Sequence, residues 1–548
     1  MAKNRWHVAS VQRGHLLNEF DDQFCFSVLQ LLIGELMKTK IHVFLALALI
    51  SLTLIPAANL VSYGTQAVQK NLNWWSVSNL YNTDILMPLV GRAFYAVGIS
   101  IDPKQVIIGK DGWFYLGDAY AKSITVKRTG VTPESILTNQ LVTDATKSWT
   151  SWYKDNGVSA YRIIIGPDKD TLYPEFLPGW AKHSPSSRTE YLTSNANIDT
   201  YVNPTGALRQ AKSEGHSPLY YRTDTHWNFV GAGIAFQELA KNLSLTHPEL
   251  RWPSKDISQP TEILARTGGD LARFQRITDS VPDEEVILDF IYRNPITIEQ
   301  YEYPSGKLLA LGRNSALEAS QRPLLVKSEK ALNKKKVLWL RDSFGNALAP
   351  YMAETFSETL QLHYAFTSHR EIAELVEEYQ PDYVFVMGVE REILSEFFQK
   401  SAPSFSISKK ITPFKRIAQG LQIGANDLAG KEQNAYTVTG PDPFIVYRLD
   451  SPVEPTQARK IVFNVRCRDS SQRVPIQLFW RSQGTQFSEA DSVRFSANSG
   501  LTALTFAPDS SWAKGAAITE LRLDLDAPGA CPEVLITAPE PGASSLPH

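Results

Sequence analysis

The chain has 548 residues, of which 43% are hydrophobic and 20% charged. That length calls for more than one domain, and the composition excludes collagen-like, disordered and disulfide-dense classes. Lys and Arg number 55 against 57 Asp and Glu, a net charge of -2, so no basic excess exists to neutralise a phosphate backbone and nucleic acid is not expected as a partner.

In chain order, residues 1–36 read as a cytoplasmic leader or as sequence ahead of the natural start. Met37, followed by Lys-Thr-Lys and an apolar run, has the character of that start. The run itself, IHVFLALALISLTLIPAANLV from Ile41 to Val61, holds no Asp, Glu, Lys or Arg. A helix of about 20 residues crosses a bilayer core, so 37–63 is expected to be a transmembrane signal anchor. Lys38 and Lys40 precede the run and the next basic residue is Lys70. This asymmetry places the N-terminus inside and the rest outside. Cleavage fits less well: a cut after Ala58 leaves Pro56 at the minus-three position, and a cut after Ala57 leaves Ile55 there.

Residues 64–100 are expected to be a helical connector, and 101–400 a compact α/β domain. VIIGKDGWFYLGD (106–118) alternates about a glycine turn and predicts a hairpin. Residues 145–156 predict a helix ending at Gly157. AYRIIIG (160–166) predicts a buried strand, followed by a proline-bounded loop. A helix is expected over 231–243, a strand over KKVLWL (335–340) and a helix within 344–356. LQLHYAF, REIAELVEEY, YVFVMG and EREILSEFFQ then predict strand, helix, strand, helix. This alternation implies βαβ units and a parallel sheet. From 410 to 540 the helical pattern gives way to short strands separated by turns, which predicts a β-sandwich or jelly roll. Residues 538–548, and 541–548 above all, read as a disordered tail. No internal repeat is visible.

Only Cys25, Cys467 and Cys531 occur, without a CxxC pair or a Cys/His cluster, so no metal or other cofactor is expected. Cys467 and Cys531 form either one disulfide in an oxidising compartment or two buried thiols. No P-loop or dinucleotide fingerprint is present.

Two pieces carry chemistry. In LRDSFGNAL (340–348), Ser343 falls where a buried strand turns into a helix, the edge at which parallel sheets place their sites. Its own N–H near a helix start suits an oxyanion; the competing reading makes Asp342 or Ser343 an N-cap. In YRTDTHWNFVGAG (221–233), Asp224 and His226 lie two apart and share a side of an extended chain. Asp224 would orient the imidazole, and His226 would take the proton from Ser343. The alternative is a capped turn with a core histidine.

DGWFYLGD (111–118), GPDKDTLYPEFLP (166–178), TDTHWN (223–228) and RDSF (341–344) occur in that order. The chain over about 100–400 resembles the alginate O-acetyltransferase-like, AlgJ/AlgX-type family of periplasmic SGNH-hydrolase-like proteins. That resemblance implies an SGNH-like, flavodoxin-like parallel-sheet domain with Ser343 as nucleophile, His226 as base and Asp224 as its partner. It also implies acetylation of an exported polysaccharide, with a membrane-embedded acyltransferase as acetyl donor, on an inner-membrane-anchored periplasmic protein. The Asp-x-His precedes the serine, the reverse of ordinary SGNH esterases. Arg341 departs from the glycine common before Asp-Ser; it would alter the nucleophile turn or place a cation by the site, while by its chemistry alone it reads as a surface residue at a strand end.

Lys169 and Tyr173 in the proline-rich loop are candidate substrate contacts, against loop packing. Trp227 would stack on a sugar or fill the core. His369 and Arg370 would line the cleft or cap a solvent-facing turn. Glu390 and Arg391 are expected to form a local ion pair. The C-terminal sandwich would bind carbohydrate or act as a spacer. The rival functions are an extracytoplasmic carbohydrate esterase or deacetylase using the same triad, and a non-catalytic polysaccharide-binding assembly protein.

Overall fold

The computed structural model describes residues 38–50, 52–61, 76–84, 86–196, 199–215, 218–408, 415–432, 434–467, 474–497, 500–507, 510–526, 529 and 531–543. The expected leader (1–36), Met37, residues 62–63 of the expected anchor, the first part of the connector (64–75) and the end of the tail (544–548) lie outside them. The chain forms two units, residues 1–101 with 275–277, and 102–274 with 278–548.

In the first unit, α1 (Lys38–Val61) is long and apolar enough to cross a membrane. The remainder of the expected helical connector contains α2 (Val77–Leu80) and α3 (Met87–Ala96). Ser76 caps α2 by accepting from the Asn79 N–H, and Pro88 opens α3, where its missing N–H costs nothing.

The second unit begins with the expected hairpin, β1 (Val106–Ile108) and β2 (Phe114–Leu116). Its main sheet has eight strands in the order β4-β3-β12-β10-β11-β9-β7-β8. These are β3 (Ala160–Gly166), β4 (Tyr201–Val202), β7 (Thr297–Glu302), β8 (Leu308–Arg313), β9 (Leu324–Lys327), β10 (Asn333–Arg341), β11 (Phe356–His363) and β12 (Tyr383–Val389). β4, β3, β12, β10 and β11 are parallel; β9, β7 and β8 extend the sheet antiparallel.

The near-continuous apolar runs of β3, β10 and β12 are explained by burial on both faces. Alternation along the strands sorts their side chains. Val337, Trp339, Phe385 and Met387 join a core with Ala232, Ala235, Phe236 and Leu239 of helix Phe229–Ser244. Leu338, Leu340, Val384 and Val386 join a second core with Trp149, Trp152 and Tyr153 of helix Pro133–Asp155 and with Ile372 and Val376 of helix His369–Tyr379. The result is a helix–sheet–helix sandwich with its strand ends gathered at one edge.

The helix expected over 145–156 begins at Pro133. A capping box between Thr132 and Ser135, with proline at the first helical position, sets that start. The helix expected over 390–399 divides into a 3-10 turn at Glu390–Glu392 and a short helix at Glu396–Gln399. A separate hairpin, β5 (Glu262–Thr267) and β6 (Pro282–Ile287), precedes β7.

The C-terminal strands form two antiparallel sheets. One has β13 (Phe405–Ser408), β16 (Leu428–Glu432), β17 (Ala435–Val438), β19 (Lys460–Cys467), β22 (Gly500–Phe506) and β24 (Glu533–Ile536), with β14 (Lys415–Arg416) and β25 (Glu540–Ala543) alongside. The other has β15 (Gly420–Asn426), β18 (Phe444–Val453), β20 (Val474–Ser482), β21 (Ser492–Ala497) and β23 (Ile518–Leu525). Phe463, Trp480, Leu504, Trp512 and Leu521 fill one shared core, as expected of a β-sandwich. The tail is shorter than the sequence suggested: β25 pairs with β14 and β19, which removes 540–543 from it.

Cys467 and Cys531 form a disulfide with Cα atoms 5.4 Å apart, across 64 residues of sequence. Closing a loop of that length restricts the unfolded chain by about 4 kcal/mol. Cys467→Ala with Cys531→Ala is expected to lower the denaturation midpoint of the sandwich by a corresponding amount. An unchanged midpoint in non-reducing denaturant titrations would rule out a structural role for the bridge.

Candidate active site

Ser343 begins a 3-10 turn just after β10. Asp342 caps that turn, its Oδ1 accepting from the Phe344 N–H at 2.9 Å. Its Oδ2 accepts from the Val389 N–H at 2.7 Å. Asp342 therefore ties the ends of β10 and β12 together, and Ser343 is free of the capping role. Burial pushes the Asp342 carboxyl up, against the two N–H donors and Arg391.

The TDTHWN segment lies between β4 and the helix Phe229–Ser244. A bridge between Tyr220 and Trp227 closes it into a tight loop. Asn228 caps the helix through the Val230 and Gly231 N–H groups, which fixes where His226 leaves the loop.

His226 Nε2 stands 2.8 Å from Ser343 Oγ, and Nδ1 stands 2.7 Å from Asp224 Oδ1. Asp224 also accepts from the His226 N–H at 3.1 Å and the Asp270 N–H at 3.2 Å. Burial raises the Asp224 pKa, but these hydrogen bonds and the His226 charge outweigh it and hold the carboxylate well below its usual range. Burial lowers the His226 pKa, but Asp224, Asp270 and Asp342 outweigh it and raise the pKa above 6.5. The imidazole is thus oriented through one nitrogen and joined to the hydroxyl through the other, the arrangement that turns serine into a nucleophile.

Asp270 is the site residue that sequence reasoning missed. Its Oδ1 accepts from the Thr225 N–H at 2.7 Å, and its Oδ2 lies 3.7 Å from His226 Nδ1. It reaches the loop because Gly269 lets the chain pass: a Cβ there would sit 2.4 Å from that of Asp224. Burial and the neighbouring Asp224 charge raise the Asp270 pKa. Ligand-type atoms of Asp224, His226 and Asp270 lie within 4.8 Å of one another. Each residue is already engaged in the hydrogen bonds above, so the set suits proton transfer better than metal binding.

The other predicted contacts are placed elsewhere. Lys169 is 4% exposed, and its Nζ donates to the carbonyls of Tyr221, Arg222 and Asp224 at 3.1, 2.9 and 2.7 Å. Burial draws its pKa down to about 8, against the pull of Asp270 and Asp224. It fastens the loop that carries Asp224 and His226. Tyr173 is buried, accepts from the Leu219 N–H and stacks on Trp113 at 4.4 Å, so two of the sequence motifs meet as packing. Trp227 is 1% exposed and donates to the Phe344 carbonyl; it braces the turn that starts at Ser343 and has no face for a sugar. Arg370 binds Glu374 and Ser496, on the sandwich side. His369 does line the cleft at Ser343.

Two sequence readings are corrected. Arg341 is not a surface residue but 0% exposed. β10 is central in the sheet, and Gln361 of β11, Asn346 and the Leu317 and Glu318 carbonyls accept from its guanidinium. Glu390 and Arg391 do not pair with each other. Arg391 binds Asp168, while Glu390 accepts from the Asp168 N–H and the Thr171 hydroxyl.

Ser343 opens into a cleft of about 760 Å³ lined by His363, Tyr364, Thr367, His369, Arg391 and Phe397. A second cavity of about 390 Å³ shares Arg391, Glu392 and Ser395 with it.

Residues 106–313 match the family model of the SGNH hydrolase-like domain, acetyltransferase AlgX. In this region the chain is similar to AlgJ/AlgX-type proteins. Over 173 residues it is 28% identical to the probable alginate O-acetylase AlgJ of Pseudomonas fluorescens, covering 31% of this chain and 41% of the relative. The chain thus spans about two fifths of that relative's length. Among solved structures, Bacillus cereus PatB1 matches with 14% identity and a TM-score of 0.40 over 54% of this chain and 98% of that one. Pseudomonas aeruginosa AlgX matches with 11% identity and a TM-score of 0.35 over 80% and 95%. The model match ends at residue 313, so the AlgX-type region it marks holds Asp224 and His226, and Ser343 follows it.

Proposed function

We propose that this chain is an O-acetyltransferase that acetylates hydroxyls of an exported polysaccharide through an acetyl-serine intermediate. The observation that carries the reading is the Ser343–His226–Asp224 relay at the mouth of an open cleft. In the first half-reaction His226 takes the Ser343 proton as Oγ attacks the donor carbonyl. It then returns the proton to the leaving group, and acetyl-Ser343 remains. In the second half-reaction His226 deprotonates an acceptor hydroxyl, which attacks the acetyl carbonyl, and the proton returns to Ser343 Oγ. The Ser343 N–H, which donates to no acceptor among the described residues, is the group available to the oxyanion.

A membrane-embedded acyltransferase as acetyl donor and anchoring by α1 in the inner membrane complete the reading. The size of the cleft and of its neighbouring cavity accords with a polymer, and the disulfide with an oxidising, periplasmic compartment. Incubation with a small acetyl ester, followed by peptide mapping, is expected to find one acetyl group on the Ser343 peptide. Acetyl found only on lysines would remove the intermediate.

Because neutral imidazole accepts the serine proton, activity is lost as pH falls through the His226 pKa. That pKa is raised, so the midpoint of the kcat/KM profile is expected above 6.5. Asp224, Asp270 and Asp342 face the imidazole with negative charge; Arg266, 3.9 Å from Asp224, opposes them. Asp270→Asn keeps an acceptor for the Thr225 N–H but removes one charge. It is expected to move the midpoint to lower pH and to slow turnover by about tenfold. A profile with an unmoved midpoint would show that Asp270 only shapes the loop.

A further inference from the structure

Pro56 lies within α1. Proline has no N–H, so the carbonyl four residues earlier, that of Leu52, loses its intrahelical donor. In the hydrocarbon of a bilayer an unpaired carbonyl is strongly disfavoured. Here the Tyr81 hydroxyl donates to the Leu52 carbonyl at 3.3 Å. Nearer the end of α1, Asn59 is 3% exposed and donates through Nδ2 to the carbonyls of Leu80 and Asn82, both at 2.8 Å. Two polar side chains thus fasten residues 80–82 to the outer part of the helix.

The chain then continues into α3. From Leu86 to Ile101 the sequence holds one charged residue, Arg92. One side of α3 is packed at Gly91, where a Cβ would sit 2.2 Å from the Gln275 carbonyl oxygen. The other side leaves Leu89 61%, Phe94 43% and Val97 69% exposed, with Ile99 at 51% beyond the helix. So much contiguous apolar surface needs a cover. Ten residues are too few to cross a bilayer, and a helix with an apolar face and a lone arginine suits the headgroup boundary.

We propose that α3, with Val97 and Ile99, lies in the outer interfacial layer of the membrane that α1 crosses. The occupant of the apolar face is lipid, because the fastening through Asn59 and Tyr81 holds this segment at the mouth of α1. Arg92 would meet lipid phosphate. The chain would then grip the membrane twice, by a span and by a surface-lying helix. The inference rests on the reading of α1 as an anchor.

The test uses the full chain in vesicles of phosphatidylethanolamine and phosphatidylglycerol, with a trace of phospholipid bearing a diazirine near its glycerol end. After illumination, lipid adducts are mapped by mass spectrometry. Adducts are expected on both 41–58 and 87–99. Leu89→Glu with Phe94→Glu is expected to reduce those on 87–99 about tenfold. Adducts on α1 and hydrolysis of a chromogenic acetyl ester should stay unchanged, which certifies the fold of the variant. Adducts on α1 alone would overturn the inference and spare the anchor. Adducts on 87–99 that survive the double substitution, or crosslinks there to protein instead of lipid, would also overturn it. A chain without adducts on α1 would overturn both readings.

Discussion

Ser343→Ala is expected to abolish acetyl transfer, lowering kcat by about 10⁴-fold or more. The argument is geometric. His226 Nε2 has Ser343 Oγ at 2.8 Å, and its other nitrogen is committed to Asp224. Alanine leaves the imidazole poised with nothing to deprotonate. The turn itself should survive, because its cap is Asp342. Asp224→Asn should cost nearly as much, about 10³–10⁴-fold, since an amide no longer fixes the tautomer or balances the imidazolium. The measurement is product formation from a chromogenic acetyl ester with acetyl-accepting oligosaccharides, followed by mass spectrometry. Acetylated oligosaccharide from the unsubstituted chain alone would support the transferase. Acetate without acetylated sugar would favour the esterase reading. A Ser343→Ala chain that keeps its full function would leave the binding-protein reading.

Arg341→Met is expected to destabilise the second unit by about 4 kcal/mol. The guanidinium is wholly buried and donates to Gln361, Asn346 and the carbonyls of Leu317 and Glu318. Methionine refills the volume but strands these acceptors in the interior, each at a cost of about 1–3 kcal/mol less what local water recovers. Burial lowers the Arg341 pKa to about 10, with Asp342 and Glu318 opposing. The group therefore remains a cation at neutral pH, next to the buried Asp342 carboxyl. Gly345 belongs to the same arrangement: a Cβ there would sit 2.6 Å from Arg341 Cδ. Urea denaturation checks the value. A loss below about 0.5 kcal/mol would be that of a surface residue and would contradict the buried network.

The Ser343, His226 and Asp224 cluster was legible because its pieces are short and local. Asp224 and His226 are separated by one residue, and Ser343 follows a run of apolar strand. Asp270 was not legible, since it reaches the site through a glycine turn 46 residues downstream of Asp224. Arg341 was misread because a lone charge at a strand end looks the same in an edge strand and a central one. Only the pairing of β10 with both β11 and β12 distinguishes them. The parallel strands announced themselves by doubly buried apolar runs. The antiparallel extension did not: Leu308, Leu309 and Leu311 of β8 are all exposed, so the strand carries no alternating pattern. Pro133 escaped notice as a helix start because Thr and Ser populate the first turns of that helix, and its cap lies in two hydroxyls.

The order of the strands also bears on when the protein can act. β3 has β4 on one side, but its other neighbour is β12, the last strand of the sheet to be synthesised. β10, which leads into Ser343, is held between β12 and β11. A nascent chain that ends before residue 389 therefore carries its histidine and its serine without the frame that brings them together. Contacts over such separations form slowly. On the proposed mechanism, Ser343 and His226 would meet in this geometry only after residues 383–389 have joined the sheet.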